Sequence, residues 1–397
     1  MSRPVSMCAA GLAVLILAIA TAPAFADAPP APVIPPAAPA ASTPAITYDA
    51  VLTTDFDDLT AGGLKRGTSV LKNVDLTAAW TGGDGWEVHG YILGDFGGGF
   101  SAERTGDAQG VDNIDAIPAW RLFELYVKRT YDDGHLVSSF GIMNVNDVFD
   151  VQKFAKVFMN SSQGIGPEFA QTGPSIFPIS ALGTMTSWII DPQNTFKVGV
   201  FDGVPGDPMH KSVFVAIKLS EQDGANYIGE YKRTWDGGTL KLDHWGYTSA
   251  RPRLDGHGLS HDDSGNYVQL ATTLTREKDD PTQGLKAWLR VGEANGALEP
   301  IDYYSGGGLF YIGPIDRHDA DQLGFAVAQI HYGGPYRLAT PGIGPSETDY
   351  ELTYQAAVTK AISIQPDIQF VRHPSGRADI KDDRIFMLRT VIDFMAF

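Results

Sequence analysis

Hydrogen-bonding and charged side chains recur at every second position in several stretches of the chain, and these residues could bind a ligand. They are Glu124, Tyr126 and Lys128; Lys286, Trp288 and Arg290; Glu351; Gln365, Asp367 and Gln369; and Arg389 and Asp393. Arg and Lys donate hydrogen bonds, carboxylates accept them and Gln does both, so the mixture suits neutral molecules rich in hydroxyl groups. Trp288 or Tyr126 could supply a flat apolar surface for the face of a sugar ring.

The same mixture fits other pores. An anion pore should show mostly Lys and Arg, and a cation pore mostly Asp and Glu, whereas both signs are interleaved here. Charges facing the water-filled interior of any barrel also pair with each other across strands. Side-chain chemistry alone therefore leaves a sugar pore and a general or anion-selective diffusion pore open.

Two acidic clusters have the residue types of metal sites. His257 and His261 lie among aspartates, but no predicted strand or helix fixes their geometry, so we predict a polar external loop. The aspartates of residues 54–58 lack the ligand spacing and final Glu of an EF-hand, so we predict a solvated N-terminal segment. The sequence predicts no bound metal and no cofactor.

Catalysis has little support in the sequence. No histidine lies in a recognisable Ser or Cys catalytic motif, so we predict that the chain is not an enzyme. Paired carboxylates of a glycosidase are unsupported rather than ruled out. The alternative of a different class is a secreted β-rich carbohydrate-binding protein or hydrolase.

The elements that position these residues are β-strands. Apolar and polar residues alternate in 350–358 and again in 362–370, which is the pattern of a half-buried strand. Turn residues such as Asp132-Asp133-Gly134 separate such runs. We place sixteen strands, the first of them weak, near 47–56, 70–81, 86–97, 119–131, 135–144, 183–190, 194–202, 226–235, 238–248, 265–276, 284–293, 303–312, 321–332, 348–359, 361–372 and 383–395.

The connections alternate in length, short after even-numbered strands and long after odd-numbered ones. Outer-membrane barrels have an even number of strands, short periplasmic turns and long external loops. This parity requires that Val213–Leu219 form a hairpin inside an external loop. The prediction is an all-β fold: a sixteen-stranded antiparallel transmembrane β-barrel. The third long connection, 145–182, is the largest, and we expect it to be packed.

The N-terminus predicts export. Arg3, a short apolar run and Ala24-Phe25-Ala26 form a signal peptide over 1–26. An Ala/Pro-rich linker follows at 27–45, and the barrel occupies 46–397. Cys8, the one cysteine, lies in the signal, so the mature protein has neither a disulfide nor a thiolate site. The net charge of −17 disfavours nucleic acid as a partner.

The last predicted strand has one apolar and one polar face. Phe386, Leu388, Ile392 and Phe394 share the apolar face, and Arg389 and Asp393 share the polar one. The terminal Phe397 has the opposite parity from the apolar set. We expect the barrel-assembly machinery of the outer membrane to read this aromatic C-terminal strand.

The chain resembles the carbohydrate-selective porin (OprB) family over roughly 50–397. The similar stretches are 112–116 (DNIDA), 121–126 (RLFELY), 158–162 (FMNSS), 177–178 (FP) with 181–183 (ALG), 198–203 (VGVFDG), 245–248 (WGYT), 350–354 (YELTY) and 365–369 (QPDIQ). One departure is Phe177 before Pro178, where the family usually has Tyr.

The resemblance implies a sixteen-stranded barrel in the Gram-negative outer membrane, with the third external loop folded inward. It implies passive diffusion of glucose and related sugars, with Arg121, Glu124 and the Asn160 loop near the constriction. Strand periodicity, however, puts Arg121 on the face opposite Glu124. The expected partners are outer-membrane lipid and small sugars. Which sugar is preferred, and whether the barrel forms a homotrimer, is left open.

Overall fold

The computed structural model describes residues 44–207 and 209–396, without the side chain of Asp132. The predicted signal peptide, almost all of the predicted linker and Phe397 lie outside these residues. In the part described, sixteen antiparallel strands form one closed barrel. The predicted fold class and strand number are confirmed.

Each barrel strand pairs with its neighbours in sequence, and the last strand pairs with the first to close the sheet. The strands are β1 (Ala45–Ala61), β2 (Gly67–Thr81), β3 (Trp86–Phe96), β4 (Ala119–Tyr131), β5 (Leu136–Met143), β6 (Ala181–Ile189), β7 (Asn194–Asp202), β8 (Ala225–Trp235), β9 (Gly238–Tyr247), β10 (Ser264–Thr273), β11 (Gly284–Ala294), β12 (Ile301–Ile312), β13 (Gln322–Tyr332), β14 (Ser346–Ala357), β15 (Ile362–Arg372) and β16 (Asp383–Asp393).

The connections carry little regular structure. Short α-helices span Ser161–Gly164, Pro167–Ala170 and Gly334–Ala339, and a π-helical turn spans Ser101–Thr105. Single 3-10 turns and a two-stranded ribbon (Arg251–Pro252 with Leu259–Ser260) complete them. The 3-10 turns are Asp132–Gly134, Val145–Asp147 and Pro374–Gly376. Among the described residues, no helix has the length and apolar character needed to cross a membrane.

Alternation of side chains gives the barrel two unlike faces. On β16, Phe386 is 41% exposed on the outer face, whereas Met387 beside it is fully buried on the inner face. The outer face carries further exposed aromatic and aliphatic side chains on most strands. The inner face instead holds buried Asp, Glu, Arg and Gln residues. An apolar exterior around a polar interior is the pattern of a barrel that faces lipid.

The first strand corrects one prediction. Residues 54–58 are not a solvated segment, because they lie in the middle of β1, which pairs with both β2 and β16. Asp55 and Asp57 face the barrel interior and are fully buried. Aspartates disfavour strands in general, but a polar barrel interior supplies partners that a solvated strand lacks. Arg389 is such a partner for Asp55.

A β-bulge on β4 corrects the predicted face of Arg121. Tyr91 pairs with Glu124 but Ile92 pairs with Leu122, so Phe123 is an extra residue in β4. The extra residue reverses the alternation at this point. Arg121 and Glu124 therefore share the inner face, where both are buried.

The predicted hairpin at Val213–Leu219 is wrong. These residues contain no strand and lie in the connection between β7 and β8. The main-chain N–H of Leu122 donates a hydrogen bond of 2.7 Å to the carbonyl of Phe214, so this segment lies along the start of β4. The alternation of apolar residues in this segment suggested a strand, but the described residues of the β7–β8 connection contain no second strand with which it could form a hairpin.

Candidate functional site

The connection between β5 and β6, residues 144–180 and called the long segment below, is fixed to the inner face of the barrel. Its strongest attachment is Arg290 on β11. The guanidinium donates to Asp150 through Nε and Nη2, both at 2.7 Å, and to Glu168 through Nη1 at 3.0 Å and Nη2 at 2.7 Å. All three side chains are buried. The two carboxylates thus take four of the five N–H groups of this cation.

Gly166 allows the main chain of the long segment to lie directly against the Arg290 guanidinium. A β-carbon at this position would overlap the Arg290 guanidinium, and the Gly166 main-chain N–H itself donates 3.0 Å to Asp150. Tyr267 and Tyr304 place their rings 4.6 and 5.3 Å from the same guanidinium carbon. Burial, cation–π contact and ion pairing together make Arg290 an anchor of the long segment.

Aromatic packing adds to this attachment. Phe169 packs against Trp245 on β9, with ring centroids 5.1 Å apart, and Phe158 packs against Trp288 on β11 at 6.2 Å. Trp288 is 4% exposed, so the ring predicted as a sugar platform is covered by the long segment.

Main-chain groups of the long segment are held by the polar side chains of β14 and β15. Glu351 accepts from the N–H of Met159 and of Asn160, and Gln365 donates 2.6 Å to the carbonyl of Val157. The Asn160 amide donates 2.8 Å to Asp349 and 3.3 Å to Gln369. These contacts attach residues 157–160 of the long segment to the inner-facing side chains of β14 and β15.

A cavity of about 600 Å³ remains between the long segment and the opposite wall. Its strand lining comes from β1 to β4 and from β14 to β16, and its remaining lining comes from residues 113–114 and from the long segment. The polar and charged lining residues are Thr53, Asn73, Asp75, Asn113, Asn144, Asn146, Asp147, Lys156, Asn160, Ser161, Gln355, Gln365 and Arg389. Tyr91, Phe123, Phe158 and Phe177 add aromatic surface.

Arg389 is the buried cation of this cavity. Its Nε and Nη2 donate to Asp55 at 2.9 and 2.6 Å, and Nη2 also donates 2.7 Å to the Asn113 side-chain oxygen. No hydrogen bond from Nη1 appears among those of the described residues, and 11% of the Arg389 side chain is exposed. A guanidinium held on one side and facing the cavity on the other can donate to a hydroxyl there.

The opposite wall presents acceptors. The Tyr91 hydroxyl donates to Asp75, and Asn144 donates 2.7 Å to Asp147. Burial and, to a smaller extent, the neighbouring Glu124 carboxylate raise the pKa of Asp147 to about 7, although the Asn144 hydrogen bond and His89 lower it. The cavity therefore places a guanidinium, amides and carboxylates around aromatic rings.

The bulge on β4 places Arg121 and Glu124 close to this wall without lining the cavity. Arg121 pairs with Asp95 and donates to the carbonyls of Ile117 and Lys211. Glu124 accepts 2.8 Å from the N–H of Asn144 and lies 3.3 Å from His89. Both residues position main-chain segments next to the cavity.

The predicted site residues thus fall into two groups. Asn160, Gln365 and Arg389 line the cavity. The others lie elsewhere on the inner face, at strand ends or under the long segment: Arg121, Glu124, Tyr126, Lys128, Lys286, Trp288, Arg290, Glu351, Asp367, Gln369 and Asp393.

The members of the second group have protein partners. Tyr126 stacks on His89 with centroids 5.0 Å apart, and Lys128 pairs with Glu87 at 2.8 Å. Lys286 donates to the carbonyl of Thr282, Asp367 accepts from Gln369, and Asp393 accepts from the N–H of Met395.

Several cavity residues were missed by the sequence analysis. Asn73 and Asp75 of β2 and Tyr91 of β3 follow the same alternation, so strand parity was the signal that could have found them. Asn144, Asn146 and Asp147 belong to an irregular segment, where no periodicity marks the face of a side chain.

Comparison with known proteins gives one family. Residues 72–394 match the model of the family described as carbohydrate-selective porin, OprB family. Porin B of Pseudomonas aeruginosa is 24% identical over 324 residues, which cover 70% of this chain and 71% of that protein. The putative porin QuiX of Acinetobacter baylyi is 20% identical over 306 residues, with 69% of each chain covered.

Solved structures share the fold. The high-pH structure of Pseudomonas putida OprB superposes with a TM-score of 0.78 at 20% identity, covering 88% of this chain and 94% of that one. The outer-membrane channel DcaP of Acinetobacter baumannii gives a TM-score of 0.57 at 11% identity, covering 88% and 97%.

Proposed function

The chain belongs to the OprB family of carbohydrate-selective porins and lies in the outer membrane of a Gram-negative cell, and we propose that it conducts small sugars by passive diffusion through the cavity beside Arg389. The observation that carries this proposal is the lining of that cavity. It combines a guanidinium, amides, carboxylates and aromatic rings, which together match a neutral ring with many hydroxyls.

We further propose that the long segment is an inward-folded third external loop that narrows the pore. Its contacts with Arg290, Glu351 and Gln365, all on the inner face of the barrel, support this. Lys197 on β7 also donates 2.7 Å to the carbonyl of Val148, and β7 lies eight strands away from β15 in the closed sheet. Attachment to such distant strands supports a segment that crosses the lumen. The constriction is then the space left between this loop and β1 to β4.

Glucose-type monosaccharides are the proposed substrates. Three aromatic rings of the cavity, those of Tyr91, Phe123 and Phe177, pack edge to face in a single cluster, with centroids 5.0 and 6.4 Å apart. The ring of Trp288 is covered by Phe158. An extended aromatic track for a long oligosaccharide is thus not formed by these residues. The hydroxyl groups of a short substrate can instead form hydrogen bonds with Arg389, Lys156 and Asp147, which all line the cavity.

Proteoliposome swelling tests the proposal. Glucose is expected to enter faster than a non-sugar solute of similar size, because only the sugar exchanges hydration for the hydrogen bonds of the lining. Equal rates of entry for the two solutes would indicate a general diffusion porin. Reversal potentials in a planar bilayer would then measure its ion selectivity. No entry of any solute would contradict the pore itself.

Two expected partners stay predictions. We propose that the barrel-assembly machinery reads β16 together with Phe394, which is exposed on the outer face. Deleting residues 394–397 should then reduce the amount of folded barrel in the outer membrane, measured by heat-modifiable gel mobility. A homotrimer would be measured by light scattering in detergent.

A further inference from the structure

Three carboxylates meet near the ends of the strands that carry the long connections. Asp107 lies in the connection between β3 and β4, and Glu347 and Asp349 begin β14. One oxygen from each lies within 4.8 Å of the others. A fourth acid, Asp383, starts β16 in the same row as Asp349, because both pair with Val371 of β15.

These acids have no cationic partner, unlike three buried aspartates elsewhere on the inner face. Asp55, Asp95 and Asp150 each bind an arginine. Among the described residues, no Lys, Arg or His nitrogen forms an ion pair with the four acids named above. Glu347, Asp349 and Asp383 are nevertheless fully buried. Burying a charge without compensation costs several kcal/mol per ion, so the cluster needs a counter-charge or protons.

Main-chain N–H groups orient two of the three carboxylates. Glu347 accepts from the main-chain N–H groups of Ala108, Gln109 and Ser375, and Asp107 accepts 2.6 Å from the N–H of Gly110. These donors hold Glu347 and Asp107 in place, whereas Oδ1 of Asp349 accepts no hydrogen bond from the described residues.

Unpartnered groups beside the three acids give an independent sign of a ligand. Among the described residues, both oxygens of Asp383, Oδ1 of Asp349 and the side-chain oxygen of Gln109 accept no hydrogen bond, and each residue is at least nine-tenths buried. Asp383 lies within the electrostatic range of Asp107 and Glu347, and the Gln109 side chain lies against Glu347. Buried polar atoms normally find partners, so these point to a group that coordinates them.

We propose that Asp107, Glu347 and Asp349 bind one Ca²⁺ ion, with Asp383 and the Gln109 oxygen within reach of its coordination shell. The donors are all oxygen, which selects a hard cation over zinc or copper. Ca²⁺ takes six to eight oxygen ligands in flexible geometry, whereas Mg²⁺ keeps several waters in a strict octahedron. A cluster of carboxylates from two separate elements fits the flexible coordination of Ca²⁺ better than the strict octahedron of Mg²⁺.

The ion would stabilise the pore lining. It would join the β3–β4 connection to β14 through Asp107, and the same connection carries Asn113, which accepts from Arg389 in the cavity. Gly110 links the two places, since its N–H donates to Asp107 and its carbonyl accepts from Ser161 of the long segment. This cation is thus a structural part of the entrance, distinct from the transported sugar.

Terbium luminescence and metal analysis test the site on the full-length folded barrel in detergent free of lipopolysaccharide. After EGTA treatment and reloading, mass spectrometry should find one Ca²⁺ per chain. Tb³⁺ should bind in competition with Ca²⁺ and be excited through Tyr332, whose hydroxyl interacts with Glu347. Melting should occur at higher temperature in Ca²⁺ than in EGTA.

The test variants are Asp349→Asn and Glu347→Gln, each expected to weaken Tb³⁺ binding about 10-fold or more. The matched control is Asp263→Asn, a buried acid paired with Arg251 at 2.9 Å, which should bind as the native chain does. Absence of Ca²⁺ from the native barrel, or unchanged Tb³⁺ binding in both test variants, would overturn the proposal and leave protonated carboxyls. Heat-modifiable mobility verifies that each variant is folded.

Discussion

Two arginines on the inner face of the barrel, Arg290 and Arg389, have the same place in the sequence pattern and different surroundings. Arg290 on β11 is enclosed by Asp150 and Glu168, and 1% of its side chain is exposed. Arg389 on β16 is bound on one side by Asp55 and borders the cavity on the other. The first fixes the long segment to the wall and the second lines the space which that segment leaves.

The difference shows that polar residues on the inner face have two roles: some attach the long segment and others line the cavity. One wall, formed by β7 to β11, attaches the long segment through ion pairs and aromatic packing, and β14 and β15 add hydrogen bonds to its main chain. The other wall, formed by β14 to β16 and β1 to β4, borders the cavity. Alternation along a strand identifies the residues of the inner face. Whether such a residue attaches the long segment or lines the cavity depends on how the segment packs against it.

Replacing Arg290 should have the largest effect. In Arg290→Met, Asp150 and Glu168 would be buried without a cation, and the free energy of unfolding should fall by about 3–5 kcal/mol. Urea unfolding in liposomes measures it. The control Arg276→Met removes an exposed pair with Asp236 and should change nothing measurable. Equal stability of both variants would mean that Arg290 is no anchor.

Gly166→Ala tests the contact between the long segment and Arg290 by adding a single methyl group. The backbone of Gly166 has φ of −70°, which alanine accepts, so the cost arises from overlap with the Arg290 guanidinium. We expect a loss of about 1–3 kcal/mol in the same unfolding assay. Gly164→Ala is the matched control, because a β-carbon there meets no atom within 4 Å. A loss as large in the control would contradict this explanation.

Arg389→Gln tests the cavity wall. Loss of a charged hydrogen-bond donor should weaken glucose binding about 10-fold, seen as a higher half-saturating concentration for glucose entry. Lys128→Gln removes a half-exposed cation that does not line the cavity and should leave this concentration unchanged. If both variants behave alike, the effect reflects overall charge and not a contact with the sugar.

Asp147 gives the smallest predicted effect. Its pKa of about 7 means that it gains charge as the pH rises through 7, so the permeability of cations relative to anions should rise about twofold. Because the folded-state pKa is raised, this group also lowers stability as the pH increases from about 4 to 7.

Reversal potentials across a pH series measure this effect. Asp147→Asn should abolish the dependence. Glu299→Gln should keep it, because Glu299 also has a pKa raised to about 7 by burial but lies outside the cavity. A dependence that persists in Asp147→Asn would assign it to another group.

The barrel itself was predictable from the sequence because strand alternation and turn residues are local signals. The predicted bounds of β4 and β7 coincide with those of the structure. The bulge at Phe123 was not predictable, since one inserted residue leaves no mark on composition and yet reverses the face of Arg121. The burial of Asp55 on β1 was not predictable either, because its partner Arg389 lies at the other end of the chain.

The site was predictable only in part. Asn160, Gln365 and Arg389 border the cavity, whereas Trp288 and Arg290 share their periodicity but lie beneath the long segment. Tertiary packing of an irregular segment of 37 residues, 144–180, decides between these outcomes, and no local pattern in the sequence encodes it.

Chemical blocking of the cavity tests the central claim most directly. The chain has one cysteine, Cys8 in the predicted signal peptide, so a Lys156→Cys variant carries a single thiol in the mature barrel, at the cavity wall. A bulky thiol reagent should then stop glucose-driven swelling of proteoliposomes. The same reagent should leave the Lys278→Cys variant active, because Lys278 is exposed and does not line the cavity. Glucose entry that continues after complete labelling of the Lys156→Cys thiol would contradict a sugar path through this cavity.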